Sequence, residues 1–264
     1  MEKSNTVKTA VITGGSQGIG AELVKLYKSA GYKVYSLSRS NPDNLQNFIE
    51  CDVAIESDVA RAFAAISADR NKIDLLVNNA GIGLNGAVEL IKPESAEKCM
   101  DVNFMGAYYC IRHALPLMKE AGRIINVSSA AALFALPFKE FYCASKASLN
   151  MLTFGLRMEL SATKIQAGCV CPGDTKSGFN KNRIREYETN ERYGDRMKRA
   201  AQRLDKKEEK RMPCGEVAKK IFKAAEKKKI KPMTIIGGKY KVIYFFYKLL
   251  PLSLFLKLTN KFFG

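Results

Sequence analysis

The sequence predicts an α/β fold in which a doubly wound parallel sheet of about seven strands carries helices on both faces. Short runs rich in Val and Ile alternate with helix-length stretches from Val7 to about Ile236, a pattern typical of right-handed βαβ units. A glycine-rich turn follows the first run, as in nucleotide-binding sheets. With 264 residues, 47% of them apolar, the chain is long enough to bury one core without disulfides or metal.

The predicted strands are the short apolar runs between the helical stretches. They are Thr9–Thr13, Lys33–Leu37, Phe48–Cys51, Leu75–Asn78, Arg123–Ser128, Gln166–Cys171 and Met233–Ile236. Helical patterns cover Cys99–Lys119 and Tyr142–Leu160. We expect residues 1–238 to form a single domain and residues 239–264 to form an appended amphipathic tail.

The turn Thr13–Gly20 reads Thr-Gly-Gly-Ser-Gln-Gly-Ile-Gly and lies between the first strand and a helix. Its glycines permit a tight turn and let backbone N–H groups approach a pyrophosphate at the helix N-terminus. The spacing is Gly-x-x-x-Gly-x-Gly rather than the commoner Gly-x-Gly-x-x-Gly. In this strand–turn–helix context the turn predicts a dinucleotide cofactor.

The end of the second strand predicts which dinucleotide is bound. An acidic residue at this place meets a free ribose 2′-hydroxyl, whereas a 2′-phosphate needs a cation. Here Ser38 leaves room and Arg39 offers a permanently charged donor fork. We therefore expect NADP(H) rather than NAD(H).

Tyr142 and Lys146 are four residues apart and share one face of a predicted helix. The pKa of a free tyrosine lies near 10, and a neighbouring ammonium favours the phenolate. Ser129 follows the end of a predicted strand, where its hydroxyl can hold a carbonyl oxygen beside the tyrosine. The three side chains predict proton transfer to or from a substrate oxygen.

Together these motifs resemble the short-chain dehydrogenase/reductase family over about residues 7–180. The resemblance is carried by Thr13–Gly20, Asn78-Asn79-Ala80-Gly81, Asn103, Ser129, Tyr142 with Lys146, and Pro172-Gly173. It implies a Rossmann-like fold and NADP(H)-dependent hydride transfer between the nicotinamide and a carbonyl or secondary alcohol carbon. Thr175 and Ser177 stand where the family often has a branched aliphatic residue followed by Thr.

The resemblance also implies a role for each matching residue. Tyr142 is the general acid/base, and Lys146 lowers its pKa and bonds the nicotinamide ribose. Ser129 orients the substrate oxygen, and Asn103 supports a water-mediated proton relay with Lys146. The cofactor positions are Gly14, Ser16, Gly18, Ile19 and Gly20 at the diphosphate, Arg39 at the 2′-phosphate, Asp52 and Val53 at the adenine, Asn79 at its ribose, and Pro172, Gly173 and Thr175 beside the nicotinamide. No metal is expected, and His113 is expected on a helix face.

The net charge of +17 is concentrated in the last third of the chain. Residues 1–180 carry 19 basic and 17 acidic side chains, whereas residues 181–264 carry 24 and 9. Residues 181–211 hold 12 basic and 7 acidic side chains and follow a strand end. They are either a lid over the substrate site or a solvated helix or loop.

The tail, residues 239–264, combines aromatic and leucine runs with flanking lysines. Because Lys248 and Pro251 interrupt the apolar run, it falls short of the ~20 residues that a membrane span needs. It fits a helix or helix pair lying in a bilayer interface. Alternatively, it covers a subunit interface or walls the substrate pocket. The apolar residues argue for lipid and against nucleic acid as the partner of this basic surface.

These features indicate a small hydrophobic ketone or alcohol as substrate, with a hydroxysteroid or bile-acid-like molecule as the first expectation. A long-chain keto lipid, a 3-ketoacyl thioester, and a small polar or sugar ketone are alternatives. An alternative of another class is a regulatory protein that has this fold and binds NADP but has no catalytic activity. The resemblance implies a homodimer or homotetramer through the helices Cys99–Lys119 and Tyr142–Leu160.

The seven cysteines are odd in number and lack metal-site spacing, which favours a reducing compartment. The polar start of the chain has no apolar run of the kind a signal peptide contains. We therefore expect a cytoplasmic protein, either free or peripheral on a membrane.

Overall fold

The fold is described from a computed structural model that covers residues 7–177, 183–205 and 211–263. The strands are β1 Thr9–Thr13, β2 Lys33–Ser38, β3 Phe48–Glu50, β4 Leu75–Asn78, β5 Leu84–Gly86, β6 Ala121–Val127, β7 Lys164–Pro172, β8 Thr175–Lys176, β9 Ile184–Glu186, β10 Met212–Pro213 and β11 Met233–Ile236. The helices are α1 Gly18–Ser29, α2 Glu56–Asp69, α3 Pro93–Met100, α4 Gly106–Ala114, α5 Glu140–Glu159, α6 Arg196–Asp205, α7 Cys214–Ala225, α8 Gly238–Leu249 and α9 Leu252–Phe263.

Seven strands form one sheet in the order β11-β7-β6-β4-β1-β2-β3, and every neighbouring pair is parallel. The chain first builds outward from β1 to β3 and then continues on the other side of β1 with β4. This reversal creates a crevice at the carboxyl ends of β1 and β4, where ligands of such sheets bind. The predicted fold class is confirmed.

Helices cover both faces of this sheet. On one face α1 and α7 pack through Leu23 and Ile221, and on the other α2 and α4 pack through Phe63 and Ile111. Strand β1 supplies both cores: Ala10 and Ile12 point to one face and Val11 to the other. Burial on both faces explains why the strands read as continuous apolar runs.

The predicted strands agree with the observed ones to within two residues at each end, and β1, β4 and β11 agree at both ends. The helix predicted over Cys99–Lys119 differs more. It begins earlier, at Pro93, because proline suits the first helical position. It then passes through a π-turn at Asp101–Met105, and α4 ends at Ala114, before a 3₁₀ turn that contains Pro116.

Two short parallel pairs stand outside the main sheet and were not predicted. One pairs β5 with β9, and the other pairs β8 with β10. Both lie in or next to the basic stretch 181–211, of which 181–182 and 206–210 lie outside the described residues. Its described part therefore contains a strand and helix α6 rather than loop alone.

The tail is a helix pair, α8 and α9, separated at Leu250-Pro251. Its inner face packs on the body of the protein through Tyr244, Tyr247 and Phe255. The helix pair also has nine exposed large apolar side chains: Val242, Phe245, Phe246, Leu249, Leu252, Leu254, Leu256, Leu258 and Phe262. In the described ranges, no helix is both long and apolar enough to cross a membrane.

Candidate active site

A single cavity at the carboxyl ends of the strands brings most of the predicted site residues together. The predicted residues in its lining are Gly14, Ser16, Gly18, Ile19, Arg39, Asp52, Val53, Asn79, Ser129, Tyr142, Lys146, Pro172, Gly173 and Thr175. Gly20 and Asn103 are absent from this lining. Both lie directly behind it and contact residues that form it.

The glycine turn adopts backbone conformations that favour glycine at two positions. Gly14 and Gly18 adopt φ values of +65° and +58°, which favour glycine. The side-chain amide of Asn79 donates to the carbonyl oxygens of Thr13 (3.0 Å) and Gly14 (3.2 Å). Asn79 therefore stabilises the conformation of the turn, whereas the family resemblance implied only a contact with the adenine ribose of the cofactor.

Gly20 contributes by allowing close packing. A Cβ atom at this position would overlap the carbonyl oxygen of Gly14 and lie 2.6 Å from the amide nitrogen of Asn79. The first turn of α1 can therefore approach the glycine turn only without a side chain at position 20.

We expect Gly20→Ala to destabilise the protein by about 1–3 kcal/mol, the usual cost of overpacking, and to weaken NADPH binding. Gly155→Ala is the matched control, because nothing lies within 4 Å of its Cβ position in α5 and alanine favours a helix by roughly 0.5–1 kcal/mol. Thermal unfolding and NADPH titration check both variants. Equal behaviour of the two variants would contradict the packing argument.

The end of β2 fits a cofactor with a 2′-phosphate. The guanidinium of Arg39 is exposed at the rim of the cavity. Beside it the hydroxyl oxygen of Ser38 is buried and has no hydrogen-bond partner in the described part of the chain. Since buried polar atoms are normally paired, this hydroxyl suits a polar ligand group. Asp52 also lines this end, and its Oδ1 accepts from the backbone N–H of Ala54 at 3.0 Å.

Tyr142 also lines the cavity and is hydrogen-bonded to Ser129. Burial raises the pKa of Tyr142 to about 12, and the hydrogen bond to Ser129 and the charge of Arg183 oppose this rise. Ser129 Oγ also accepts from the backbone N–H of Ala131 at 3.1 Å, which fixes its position. The Tyr142 hydroxyl is therefore protonated at neutral pH and aimed at the site.

Lys146 is buried one helical turn after Tyr142 and donates from Nζ to the carbonyl oxygen of Val127 at 3.1 Å. Burial lowers the pKa of Lys146 to about 8, so its ammonium form still predominates at pH 7. A Cβ atom on Gly81 would lie 2.9 Å from Asn103 Oδ1 and 3.2 Å from Lys146 Nζ. The glycine thus leaves open the space between these two polar groups.

Asn103 occupies the π-turn, a feature that often marks functional positions. Its Oδ1 accepts from the N–H of Ile82 (2.8 Å), and its Nδ2 donates to the Ile82 carbonyl (2.9 Å) and to Ser145 Oγ (3.0 Å). Ser145 Oγ in turn donates to the Tyr142 carbonyl at 2.9 Å. Asn103 therefore connects the loop after β4 to the helix that carries Tyr142 and Lys146. The linking residue Ser145 was not predicted.

The cavity also contains a group of cations that the sequence did not single out. Lys139, Arg183 and Arg211 line it, and Arg183 is close enough to Tyr142 for its charge to oppose the rise of the tyrosine pKa that burial causes. The apolar walls are formed by Phe134, Leu136, Phe138, Met197 and Phe262. Met197 belongs to α6 and Phe262 to α9, so both the basic stretch and the tail contribute to the substrate cavity.

Comparison with known proteins agrees with this geometry. Residues 8–188 match the family model described as short chain dehydrogenase. The chain is 31% identical over 240 residues to 3-ketodihydrosphingosine reductase of Bacteroides thetaiotaomicron, covering 89% of both chains. It is 34% identical over 256 residues to the probable short-chain type dehydrogenase/reductase VdlC of Helicobacter pylori, covering 92% of this chain and 93% of the relative.

Solved structures show the same fold. A short-chain dehydrogenase of Burkholderia cenocepacia in complex with NADP is 26% identical and superposes with a TM-score of 0.77 over 96% of this chain and 97% of its own. A short-chain dehydrogenase/reductase of Burkholderia phymatum in complex with NAD is 23% identical, with a TM-score of 0.79 over 92% and 93%. Proteins of this fold thus bind either nicotinamide dinucleotide.

Proposed function

The chain belongs to the short-chain dehydrogenase/reductase family, and from this membership we propose that it is an NADPH-dependent reductase of a long-chain keto lipid. The observation that carries the reaction type is the Tyr142 hydroxyl, hydrogen-bonded to Ser129 and facing the cavity. The proposed product is the secondary alcohol.

In the proposed reaction each residue has one task. When bound, NADPH supplies a hydride to the carbonyl carbon. Ser129 holds the substrate oxygen, and Tyr142 donates its proton to that oxygen, so that C=O becomes CH–OH. The Lys146 ammonium stabilises the phenolate that remains. Asn103 and Lys146 border the space through which water returns a proton.

The long-chain substrate is supported by the cavity and by a relative. The cavity that contains Tyr142 is also lined by Phe134, Phe138 and Met197, and the Bacteroides relative is named 3-ketodihydrosphingosine reductase. The hydroxysteroid expected from the sequence stays a prediction without such support. NADPH oxidation with long-chain ketones, ketosteroids and short ketones tests the choice, because turnover confined to rigid ring ketones would contradict it.

We further propose that α8 and α9 rest on an anionic membrane surface. Nine of the fourteen exposed large apolar side chains in the described residues lie on this helix pair. Residues 227–264 contain nine lysines and no acidic residue. Apolar burial together with attraction to anionic lipids is the usual basis of interfacial binding.

The helix pair also touches the site. Tyr240 of α8 packs against Gly173, and its hydroxyl donates to Asp174. Phe262 of α9 lines the cavity. A lipid ketone in the bilayer would therefore find the cavity at the surface that faces the membrane.

We expect the double variant Phe245→Glu, Phe246→Glu to lose binding to vesicles of phosphatidylcholine with phosphatidylglycerol, since burying each phenylalanine contributes roughly 1.5–3 kcal/mol. Vesicle co-sedimentation measures the loss. The matched control is Ile55→Glu, Val88→Glu, which changes two side chains of similar exposure outside the tail. Equal binding by both double variants, or no binding by the wild type, would contradict the proposal.

The predicted homodimer or homotetramer remains a proposal. Its support is the exposure of Met151 and Met158 on α5, at 69% and 71%. The two side chains are seven residues apart, so they lie on one face of α5. The interface would then contain the helix that carries Tyr142 and Lys146.

A further inference from the structure

Residues 172–175, which begin with the last residue of β7, line the cavity and are held by three other parts of the chain. The N–H of Gly173 donates to the carbonyl oxygen of Ile236 at the end of β11 (3.0 Å). The carbonyl oxygen of Asp174 accepts from the N–H of Met212 in β10 (3.2 Å). These two bonds fix the backbone of the segment from two sides.

The third part is the tail, which contacts the segment through Tyr240 of α8. The Tyr240 hydroxyl donates to Asp174 Oδ2 at 2.5 Å and accepts from the backbone N–H of Asp174 at 3.3 Å. Its ring lies directly on Gly173, where a Cβ atom would overlap the ring carbons. One side chain of the tail therefore contacts two consecutive residues of the cavity lining.

The position of Tyr240 is itself fixed by the main sheet. Gly237 is the one residue between β11 and α8, and its φ of +110° favours glycine. This short connection starts α8 beside the strand end that already holds Gly173. Burial and the negative charge of Asp174 raise the pKa of Tyr240, so its hydroxyl keeps its proton at neutral pH and remains the donor to the carboxylate.

We propose that Tyr240 is a positioning residue: through Asp174 and Gly173 it holds residues 172–175 in place beside the nicotinamide half of the cofactor. This proposal rests on the proposed reductase function and on the place that the family resemblance gives to this segment. It makes the tail a part of the cofactor site. Without the Tyr240 hydroxyl the segment is held less firmly, so the nicotinamide is bound less tightly and is aligned less well for hydride transfer.

A binding comparison tests the proposal without turnover. Tyr240→Phe keeps the ring on Gly173 and removes only the hydroxyl. We expect the Kd of NADPH to rise about 3- to 10-fold, less than a buried charged hydrogen bond would give, because Asp174 is exposed. The Kd of adenosine 2′,5′-bisphosphate, which lacks the nicotinamide half, should stay at its wild-type value. Equal changes for the two ligands, or no change for either, would overturn the proposal.

Tyr32→Phe is the matched control for this comparison. It also removes a tyrosine hydroxyl that donates to a carboxylate, that of Glu226 at 3.2 Å, and neither residue belongs to the described lining of the cavity. Both dissociation constants should therefore match those of the wild type. If NADH proves to be the bound cofactor, NADH and 5′-AMP form the equivalent pair of ligands.

In turnover, a poorly aligned nicotinamide slows hydride transfer relative to the other steps. With a ketone that the wild type reduces, Tyr240→Phe should lower kcat about 3- to 10-fold and increase the isotope effect measured with NADPH deuterated at C4. The KM of the ketone should change little, and the pH dependence should be that of the wild type because Tyr142 is untouched. An unchanged kcat together with an unchanged isotope effect would overturn the positioning role.

A double-variant cycle tests whether Tyr240 acts through Asp174. The charge of Asp174 also opposes the fall of the Lys139 pKa that burial causes, so Asp174→Ala alone can alter the site in more than one way. In the Asp174→Ala background, Tyr240→Phe should change the Kd of NADPH by less than about twofold. Its full effect in that background would overturn the proposal. If the wild type binds NADPH but reduces no ketone, the binding comparison still decides the role of Tyr240, and only the reductase proposal fails.

Discussion

Replacing Tyr142 with phenylalanine is expected to lower kcat for ketone reduction by about 10²- to 10⁴-fold, the usual contribution of a positioned general acid. The ring that lines the cavity remains, and only the hydroxyl bonded to Ser129 is removed. The affinity for NADPH should therefore change little. Steady-state NADPH oxidation and a separate NADPH titration measure the two effects.

The matched control is Tyr27→Phe, which removes a buried tyrosine hydroxyl outside the cavity. Tyr27 packs in the core on α1, away from the cavity, so this variant should keep its activity. Full activity of Tyr142→Phe would refute the assignment of the proton donor. If the wild type binds NADPH but turns over no ketone, the alternative of a non-catalytic NADP-binding regulator gains support.

The pH dependence follows from the same hydroxyl. Burial raises the pKa of Tyr142 to about 12, so the protonated form that reduction requires predominates throughout the neutral range. Alcohol oxidation requires the phenolate, whose fraction grows tenfold per pH unit below the pKa. Between pH 5 and 7 reduction should vary little with pH while oxidation accelerates, because Lys146, whose pKa burial lowers to about 8, keeps most of its charge in this range.

The sheet could be predicted because its sequence signal is local. Strands such as β1 and β4 are buried on both faces, so each is a short apolar run with polar or glycine residues at its ends. The pairing of β5 with β9 joins segments about 100 residues apart, and neither segment has a strand pattern of its own. Such long-range pairs leave no trace in local periodicity.

The same difference between local and long-range signals decides which site residues could be predicted from the sequence. The glycine turn, Ser129 and the Tyr142–Lys146 pair could be predicted because their spacing carries their function. Arg183 resembles any solvent-exposed cation in the sequence, and only the fold brings it close enough to act on the pKa of Tyr142. For the tail, the sequence allowed two interpretations, contact with a membrane or a wall of the substrate pocket. The structure places Lys239, Tyr240 and Phe262 of the tail in the cavity lining, and the exposed apolar side chains of the tail leave its membrane role as a proposal.

Replacing Arg39 with aspartate is expected to reverse the choice of cofactor. Arg39 is the cation at the rim beside the buried Ser38 hydroxyl. Loss of charge-assisted bonds to a 2′-phosphate should cost about 1.5–3 kcal/mol, or roughly 10- to 150-fold in kcat/KM for NADPH. The new carboxylate repels the phosphate and accepts a hydrogen bond from a free 2′-hydroxyl, which favours NADH.

Arg39→Lys separates charge from geometry, because lysine keeps the cation and loses the planar fork. Its preference for NADPH should lie between those of the wild type and Arg39→Asp. The ratio of kcat/KM with NADPH to kcat/KM with NADH, measured for all three proteins, tests this order. A wild type that prefers NADH would contradict the assignment, since Asp52, the other charged residue at this end, would then act on the ribose. Because Arg39 is exposed and is not among the groups that shift the pKa of Tyr142, kcat at saturating cofactor should be the same in all three proteins. A fall in kcat would instead mean that the 2′-phosphate contact also positions the nicotinamide for hydride transfer.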